Sequence, residues 1–352
     1  MLIRTPFAIT GLAALLAASA VANGLGAGAA DASSASAPAR AFEFVYQVAV
    51  DPASDGTVKL WIPVARADAN QDVVLRSVSG ADSSDVKSQI QRDSEYGNSV
   101  LYAEIRKAAA PVTLTLTYDV TRREYSRGGL NHLMRYNRDD DPAPSDVARF
   151  LAPDRLVPIN ERFRKLAADV TRGQTGDVDR AYAIYNYVFH TLRYDKTGEG
   201  WGRGDAMWAC DSKHGNCTDF HSLFIALMRA AKIPARFEIG FPLPESKSEG
   251  EIPGYHCWAE FYVSGAGWVP VDISEAWQDP AKHDFFFGSL DANRVQFTIG
   301  RDLILNPPQS GPPVNYFVYP YAEVDGQPYD HIRKKFWFRE ISPAGVAPAG
   351  GK

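Results

Sequence analysis

Apolar and polar side chains alternate over much of the chain between residues 42 and 127. The alternation is clearest in two stretches, Phe42, Phe44, Tyr46, Val48 and Val50, and Val112, Leu114, Leu116, Tyr118 and Val120. A period of two residues is typical of strands with one buried face. Between these stretches lie three shorter strand candidates, "TVKLWIPV", "DVVLRSV" and "SVLYAEI". Residues 42–127 are therefore predicted to form an antiparallel β-sandwich domain.

The period becomes helical in the middle of the chain. Residues 128–172 are expected to be a connecting segment that is partly helical. In "DRAYAIYNYVFHTLRY" apolar residues at positions 181, 184, 185, 188 and 192 predict a helix with one buried face. A second helix is predicted after Asn216, and its apolar residues cover nearly every side, so we expect it inside the protein.

Strand patterns return in "ARFEIGF", "HCWAEFYV" and "WVPVDIS", the last two joined through "SGAG" as a predicted hairpin. If Tyr262 pairs with Trp268, Asp272 falls opposite Trp258 and on the same face as His256. A register shifted by one residue would put them on opposite faces unless a bulge intervened. We predict the first register or a bulge.

The ends of the chain give further expectations. Arg4, an apolar run from Pro6 to Ala22 and an A-x-A site predict a signal peptide over residues 1–22 and an exported protein, periplasmic or secreted. Because there is no cysteine near the cleavage site, we expect neither a lipid anchor nor, after cleavage, a membrane span. Residues 23–41 are predicted to be a flexible linker, 278–342 a C-terminal β extension of the core, and 343–352 a tail.

Composition narrows the classes of function. The formal net charge of -5 makes a nucleic-acid-binding protein a poor expectation. With only three cysteines, Cys210, Cys217 and Cys257, the chain is not a disulfide scaffold.

The position of Cys217 points to thiol chemistry. Asn216 and Asp219 resemble the cap of a helix whose first turn contains Cys217. The positive end of a helix dipole stabilises a thiolate, and the N–H groups there can receive an oxyanion. A thiolate nucleophile needs a base and an orienting partner for that base, and His256 and Asp272 fit these needs.

Two other uses of the cysteines remain open. His214, Cys217 and His221, with Cys210 as a fourth ligand, could hold zinc, since Cys217 and His221 are one helical turn apart. Separately, Cys210 and Cys257 could form a disulfide after export.

Three motifs carry a resemblance to a known family. "GNCTDF" at a helix start, "YHCWAEFY" and "WVPVDIS" occur in the order and spacing of the transglutaminase-like superfamily. The resemblance implies an α+β, papain-like cysteine-enzyme core over residues 173–277, in which a Cys-bearing helix packs on an antiparallel sheet. It also implies Cys217 as nucleophile, His256 as general base and acid and Asp272 as the residue that orients His256, with no metal or organic cofactor.

The same resemblance implies an aromatic residue upstream of the nucleophile that helps to stabilise the oxyanion. Tyr194, Trp201 and Trp208 are the candidates. Asp219 is expected to cap the helix or position a substrate amine, and Trp258 to pack beside the catalytic histidine and shield it.

The expected activity is acyl transfer through a thioester on Cys217, with a protein, a peptide or another amide as substrate. Water is favoured over an amine as the acceptor, because transamidation needs a dry tunnel or a bound amine. The competing hypothesis is a catalytically silent scaffold that binds a protein or cell-envelope partner, since fold alone does not establish activity.

Overall fold

A computed structural model describes residues 38–53, 56–80, 85–106, 110–138 and 145–342. The predicted signal peptide, most of the predicted linker and the predicted tail lie outside these ranges. The predicted linker overlaps the first strand, which already begins at Ala39 because its backbone pairs with a neighbouring strand from that residue onward.

The alternating stretches of the N-terminal region form strands as predicted. Phe42, Phe44, Tyr46, Val48 and Val50 are all buried, while the residues between them are partly exposed or, at Ala49, likewise only half-buried. These strands belong to two five-stranded antiparallel sheets. The strands in this half of the chain are β1 (Ala39–Val50), β2 (Thr57–Pro63), β3 (Gln71–Ser79), β4 (Val86–Arg92), β5 (Ser99–Arg106), β6 (Val112–Arg123) and β7 (Tyr125–Ser126).

The helices come next, and they include the two that the sequence predicted. The connecting segment contains two of them and two 3-10 turns, Met134–Tyr136 and Ala148–Leu151. Together with the short strands between them, these elements are α1 (Gly129–Leu133), α2 (Glu161–Val170), α3 (Asp177–Thr191), β8 (Arg193–Tyr194), α4 (Ala206–Ser212), β9 (His214–Gly215) and α5 (Cys217–Ala230).

The remaining elements are mainly strands. They are β10 (Ala235–Pro242), β11 (Glu249–Glu251), β12 (His256–Val263), β13 (Gly267–Val271), α6 (Ile273–Gln278), β14 (Ser289–Leu290), β15 (Arg294–Ile299), β16 (Tyr321–Val324), β17 (Gln327–Pro328) and β18 (Ile332–Glu340), with a 3-10 turn at Pro280–Lys282.

A four-stranded antiparallel sheet, in the order β13-β12-β10-β15, carries the predicted histidine and aspartate; we call it the catalytic sheet. In its hairpin Tyr262 lies opposite Trp268, so the predicted register is confirmed. Helix α5 packs against β12 and β10 of this sheet, and its residues from Cys217 to Arg229 are buried. The architecture is therefore α+β with a papain-like core, as expected.

The predicted C-terminal extension of the core is only partly that. β15 joins the catalytic sheet, but β18 pairs with β1 and β16 pairs with β2. The C-terminal strands thus complete the two N-terminal sheets, because β1 and β2 each leave an edge that needs a hydrogen-bonding partner. Pairing between segments so distant in sequence leaves no mark in a local hydrophobic pattern.

The N-terminal sheets and the catalytic sheet share one hydrophobic core. Phe44 and Tyr46 of β1 lie 5.4 Å and 5.7 Å from the rings of Phe241 and Phe297, which belong to β10 and β15. The described residues accordingly form one unit and not two separately packed domains. No helix within these residues combines the length and the apolar character that crossing a bilayer requires.

Candidate active site

Cys217 is the first residue of α5, and the helix start is built as the sequence predicts. The side chain of Asn216 accepts a hydrogen bond from the backbone N–H of Thr218 at 2.9 Å. In return, Asp219 Oδ2 accepts one from the backbone N–H of Asn216, also at 2.9 Å. This capping box fixes the first turn and leaves the thiol at the positive end of a 14-residue helix.

His256 and Asp272 meet at one end of the catalytic sheet. His256 is the first residue of β12, and Asp272 follows the last residue of β13. His256 Nε2 donates to Asp272 Oδ2 at 2.6 Å, and both side chains are buried. This bond engages Nε2 and leaves Nδ1 to exchange a proton with the thiol.

The thiol of Cys217 hydrogen-bonds to His256, and the two groups shift each other's acidity. Burial by itself would raise the pKa of Cys217, but hydrogen bonds from Cys257 and His256 and the charge on His256 hold that pKa well below its ordinary value. Burial would likewise lower the pKa of His256, but the Asp272 carboxylate raises it well above the ordinary value. The favoured state near neutral pH is a thiolate–imidazolium pair.

Asp272 is held as a carboxylate. Its Oδ1 accepts hydrogen bonds from Ser274 Oγ and from the backbone N–H of Glu275, both at 3.1 Å. Its Oδ2 accepts from His256 and, at 2.8 Å, from Arg294 Nη1. Burial would raise the pKa of Asp272, but the charge and hydrogen bond of His256 and the charge of Arg294 lower it.

His221 lies beneath the site as a neutral side chain. Its Nδ1 is 2.8 Å from the carbonyl oxygen of Cys217 and must donate to it, while its Nε2 accepts from the backbone N–H of Ile273 at 3.1 Å. Burial lowers the pKa of His221, which keeps the ring uncharged 3.8 Å from Asp272. Because both ring nitrogens are engaged with the backbone, neither has a free lone pair for the zinc ion considered above.

The other members of that zinc hypothesis point elsewhere. Cys210 Sγ is 3.3 Å from Arg162 Nη2, and His214 Nδ1 is 3.4 Å from the carbonyl oxygen of Asp195. Among the described residues no three His, Cys, Asp or Glu side chains are grouped to hold a metal ion.

The cysteine pair considered for a disulfide is not bonded. All three cysteines are buried free thiols. Cys257 Sγ is 3.8 Å from Thr218 Oγ1 and 3.8 Å from His221 Nδ1, and its thiol hydrogen-bonds to that of Cys217. Cys257 therefore belongs to the surroundings of Cys217.

Asp219 ties the glycine-rich loop to the helix start. Besides capping Asn216, its carboxylate accepts hydrogen bonds from the backbone N–H groups of Gly202 at 2.7 Å and Gly204 at 3.1 Å. Burial raises the pKa of Asp219 to about 6, against the opposing effect of these three N–H donors. With its side chain fully buried and so engaged, Asp219 acts as a cap and a loop anchor.

The aromatic candidates lie at different depths. The phenol of Tyr194 is close enough for the negative charge of Cys217 to add to the effect of burial in raising the pKa of Tyr194. Trp201 Nε1 donates to the carbonyl oxygen of Gly198 at 3.2 Å, and the ring of Trp208 packs on His214. Of the three upstream aromatics, Tyr194 is thus the one that we place beside the thiol.

Trp258 lies under the histidine. It is fully buried, its ring centre is 6.1 Å from that of His256, and its Nε1 donates to Glu238 Oε2 at 2.8 Å. It packs as the sequence reasoning expected.

The structure adds two residues that the sequence reasoning did not single out. The hydroxyl of Tyr255 is 2.8 Å from Thr218 Oγ1 and accepts from Asn216 Nδ2 at 3.1 Å, so it bridges the helix start to β12. Its place directly before His256 in "YHCW" was a usable signal. Arg294 gave none, because its contact with Asp272 depends on how β15 docks.

Comparisons with known proteins agree with this geometry. Residues 164–273 match the model of the Transglutaminase-like superfamily. The chain is 27% identical over 337 residues to an uncharacterized protein of Haemophilus influenzae, covering 84% of this chain and 90% of that protein. It is 28% identical over 144 residues to the uncharacterized protein YebA of Bacillus subtilis, covering 37% of this chain and 19% of YebA.

A solved structure shares the fold. It is that of a Cytophaga hutchinsonii protein provisionally named a cysteine protease, with a TM-score of 0.53 and 19% identity, covering 86% of this chain and 98% of that one. At this level of identity the likeness concerns the fold alone.

Proposed function

Because the chain contains a transglutaminase-like superfamily domain, which the family model matches over residues 164–273, we propose that it is a cysteine-dependent acyl-transfer enzyme that acts on amide or peptide bonds. The acyl group is carried as a thioester on Cys217. The observation that carries this proposal is the 2.6 Å bond between His256 and Asp272, with the imidazole against the Cys217 thiol at a helix N-terminus.

The steps follow from the charges at the site. The Cys217 thiolate attacks the amide carbonyl carbon, and the oxygen that becomes negative is stabilised by the helix N-terminus, including the Cys217 N–H. His256 gives its proton to the departing amine as the C–N bond breaks, which leaves a thioester and a neutral imidazole. His256 then takes a proton from water, the resulting hydroxide attacks the thioester, and the acid and the thiol are released.

We place hydrolysis ahead of transamidation. The deacylation step needs only a water molecule within reach of His256, whereas transamidation needs a second subsite that holds an amine against the thioester. The substrate is a protein, a peptide or another amide, and the amino-terminal pattern supports an exported enzyme that meets it in the periplasm or outside the cell.

The first test is the pH dependence of iodoacetamide alkylation at Cys217, followed by peptide mass spectrometry in wild type and His256→Ala. A thiol whose pKa is lowered by its partner forms thiolate at lower pH, so wild type should label rapidly well below pH about 8.5. Losing the imidazolium should move the rise in rate to higher pH. An ordinary thiol profile, identical in both proteins, would instead favour the silent scaffold.

The acceptor is tested with amide substrates in the presence and absence of a primary amine. Hydrolysis releases the carboxylic acid at a rate that added amine leaves unchanged, whereas transamidation yields an amide product that rises with amine concentration. Cys217→Ala serves as the blank in both arms. Equal turnover by this variant would rule out the thioester route.

A further inference from the structure

Arg294 stands outside the part of the chain that matches the family, yet it contacts the proposed catalytic aspartate. It begins β15 at the edge of the catalytic sheet, opposite Pro242 of β10. The family match ends at residue 273. Arg294 is 2% exposed, so its guanidinium lies in the interior and not in solvent.

The guanidinium is fixed on three sides. Its Nη1 donates to Asp272 Oδ2 at 2.8 Å, the same oxygen that accepts from His256. Its Nε and Nη2 donate to Asp291 Oδ1 at 3.3 Å and 3.2 Å. The guanidinium carbon lies 5.0 Å from the centre of the Trp258 ring. A cation so held cannot turn away from Asp272 without breaking several contacts at once.

The charge of Arg294 changes what Asp272 offers to His256. An arginine keeps its charge over the whole accessible pH range. It therefore offsets part of the negative charge of Asp272, while the bond to Oδ2 still aims the carboxylate at the imidazole. An aspartate with no such partner would stabilise the imidazolium more strongly, and the proton would then leave for the amine less readily.

We propose that Arg294 is a positioning residue of the active site, which fixes Asp272 toward His256 and moderates its negative charge. This inference rests on the function proposed above for Cys217, His256 and Asp272. It assigns part of the catalytic apparatus to β15, beyond the segment that defines the family.

The test compares the alkylation profile of Cys217 in wild type, Arg294→Met and Arg294→Lys. Methionine fills the space of the stem without the charge, so every nearby group should hold its proton more tightly. We expect the acid side of the Cys217 profile in Arg294→Met to move up by about one pH unit, which is about a tenfold slower reaction on that slope. Lysine retains the charge and should return the slope to near its wild-type position.

Arg229→Met is the matched control. Arg229 is also a buried arginine, bonded to Asp154 Oδ2 at 2.6 Å, but it lies in the last turn of α5, at the end opposite Cys217. Its loss should lower stability and leave the Cys217 slope where it is. If Arg294→Met fails to fold, Arg294→Gln, which keeps an N–H donor without the charge, is expected to show the same displacement.

The outcomes separate the two proposals. A wild-type profile that is already that of an ordinary thiol defeats the proposed function. A lowered wild-type profile that His256→Ala abolishes, while Arg294→Met overlays wild type, defeats the role of Arg294 alone. A displaced slope in Arg294→Met that lysine does not restore would also overturn it, because the charge would not be the cause.

Discussion

Asp272 serves the backbone with one oxygen and the active site with the other. Oδ1 caps helix α6 through the N–H of Glu275, while Oδ2 receives His256 and Arg294. The helix cap thus sets the direction of the carboxylate before His256 is considered. Asparagine could still cap the helix, but its amide nitrogen would then face two donors. The position therefore requires a carboxylate for a reason that is visible in its contacts.

At the same scale, Cys257 should tune the nucleophile. Its hydrogen bond to the Cys217 thiol contributes to lowering the pKa of Cys217. Cys257→Ala removes the donor, so we expect the rise of Cys217 alkylation to move to higher pH. Cys257→Ser keeps a donor and should move it less. Cys210→Ala is the control, since the thiol of Cys210 is directed at Arg162; an equal displacement in that variant would contradict this account.

Among the elements, the start of α5 and the glycine-rich loop depend on one side chain. The carboxylate of Asp219 binds three backbone N–H groups, at Asn216, Gly202 and Gly204. In Asp219→Asn an amide group replaces one acceptor oxygen and meets N–H donors. We expect unfolding free energy to fall by about 1–3 kcal/mol in urea titrations, because buried donors lose their partner.

The loss should also reach the chemistry. A loosened first turn holds Cys217 less firmly, so its alkylation at neutral pH should slow in Asp219→Asn. Asp169→Asn, which removes an exposed carboxylate on α2, should change neither quantity measurably. Unchanged stability in Asp219→Asn would show that the cap and the loop hold without it.

Elements with a local signal were predictable and those that depend on docking were not. The capping residues around Asn216 and the parity of the hairpin between Tyr262 and Trp268 are properties of short segments, and both are confirmed. The partner of β18 and the contact of Arg294 with Asp272 depend on which strand lies beside which. Hydrophobic period gives the face of a strand but not its neighbour.

For the whole molecule, the C-terminal strand joins parts that the sequence suggested were separate. Phe336 of β18 lies 4.7 Å from the ring of Tyr46 in the N-terminal sheet and 4.3 Å from that of Phe241 in the catalytic sheet. It also stacks on Tyr319 at 5.8 Å. The hydrophobic core is therefore continuous from the N-terminal sheets to the sheet that carries His256.

A continuous core should unfold as a unit. We expect urea unfolding followed by tryptophan fluorescence to coincide with the exposure of Cys217 to alkylation in wild type and in Phe336→Ala. That substitution should shift both midpoints together and cost about 3–5 kcal/mol, because it opens a cavity between the two sheets. Lys335→Ala, on the exposed side of the same strand, should shift neither. If fluorescence changed at a lower urea concentration than the reactivity of Cys217, the N-terminal sheets would be a separately stable unit, and β18 would not bind the two regions together.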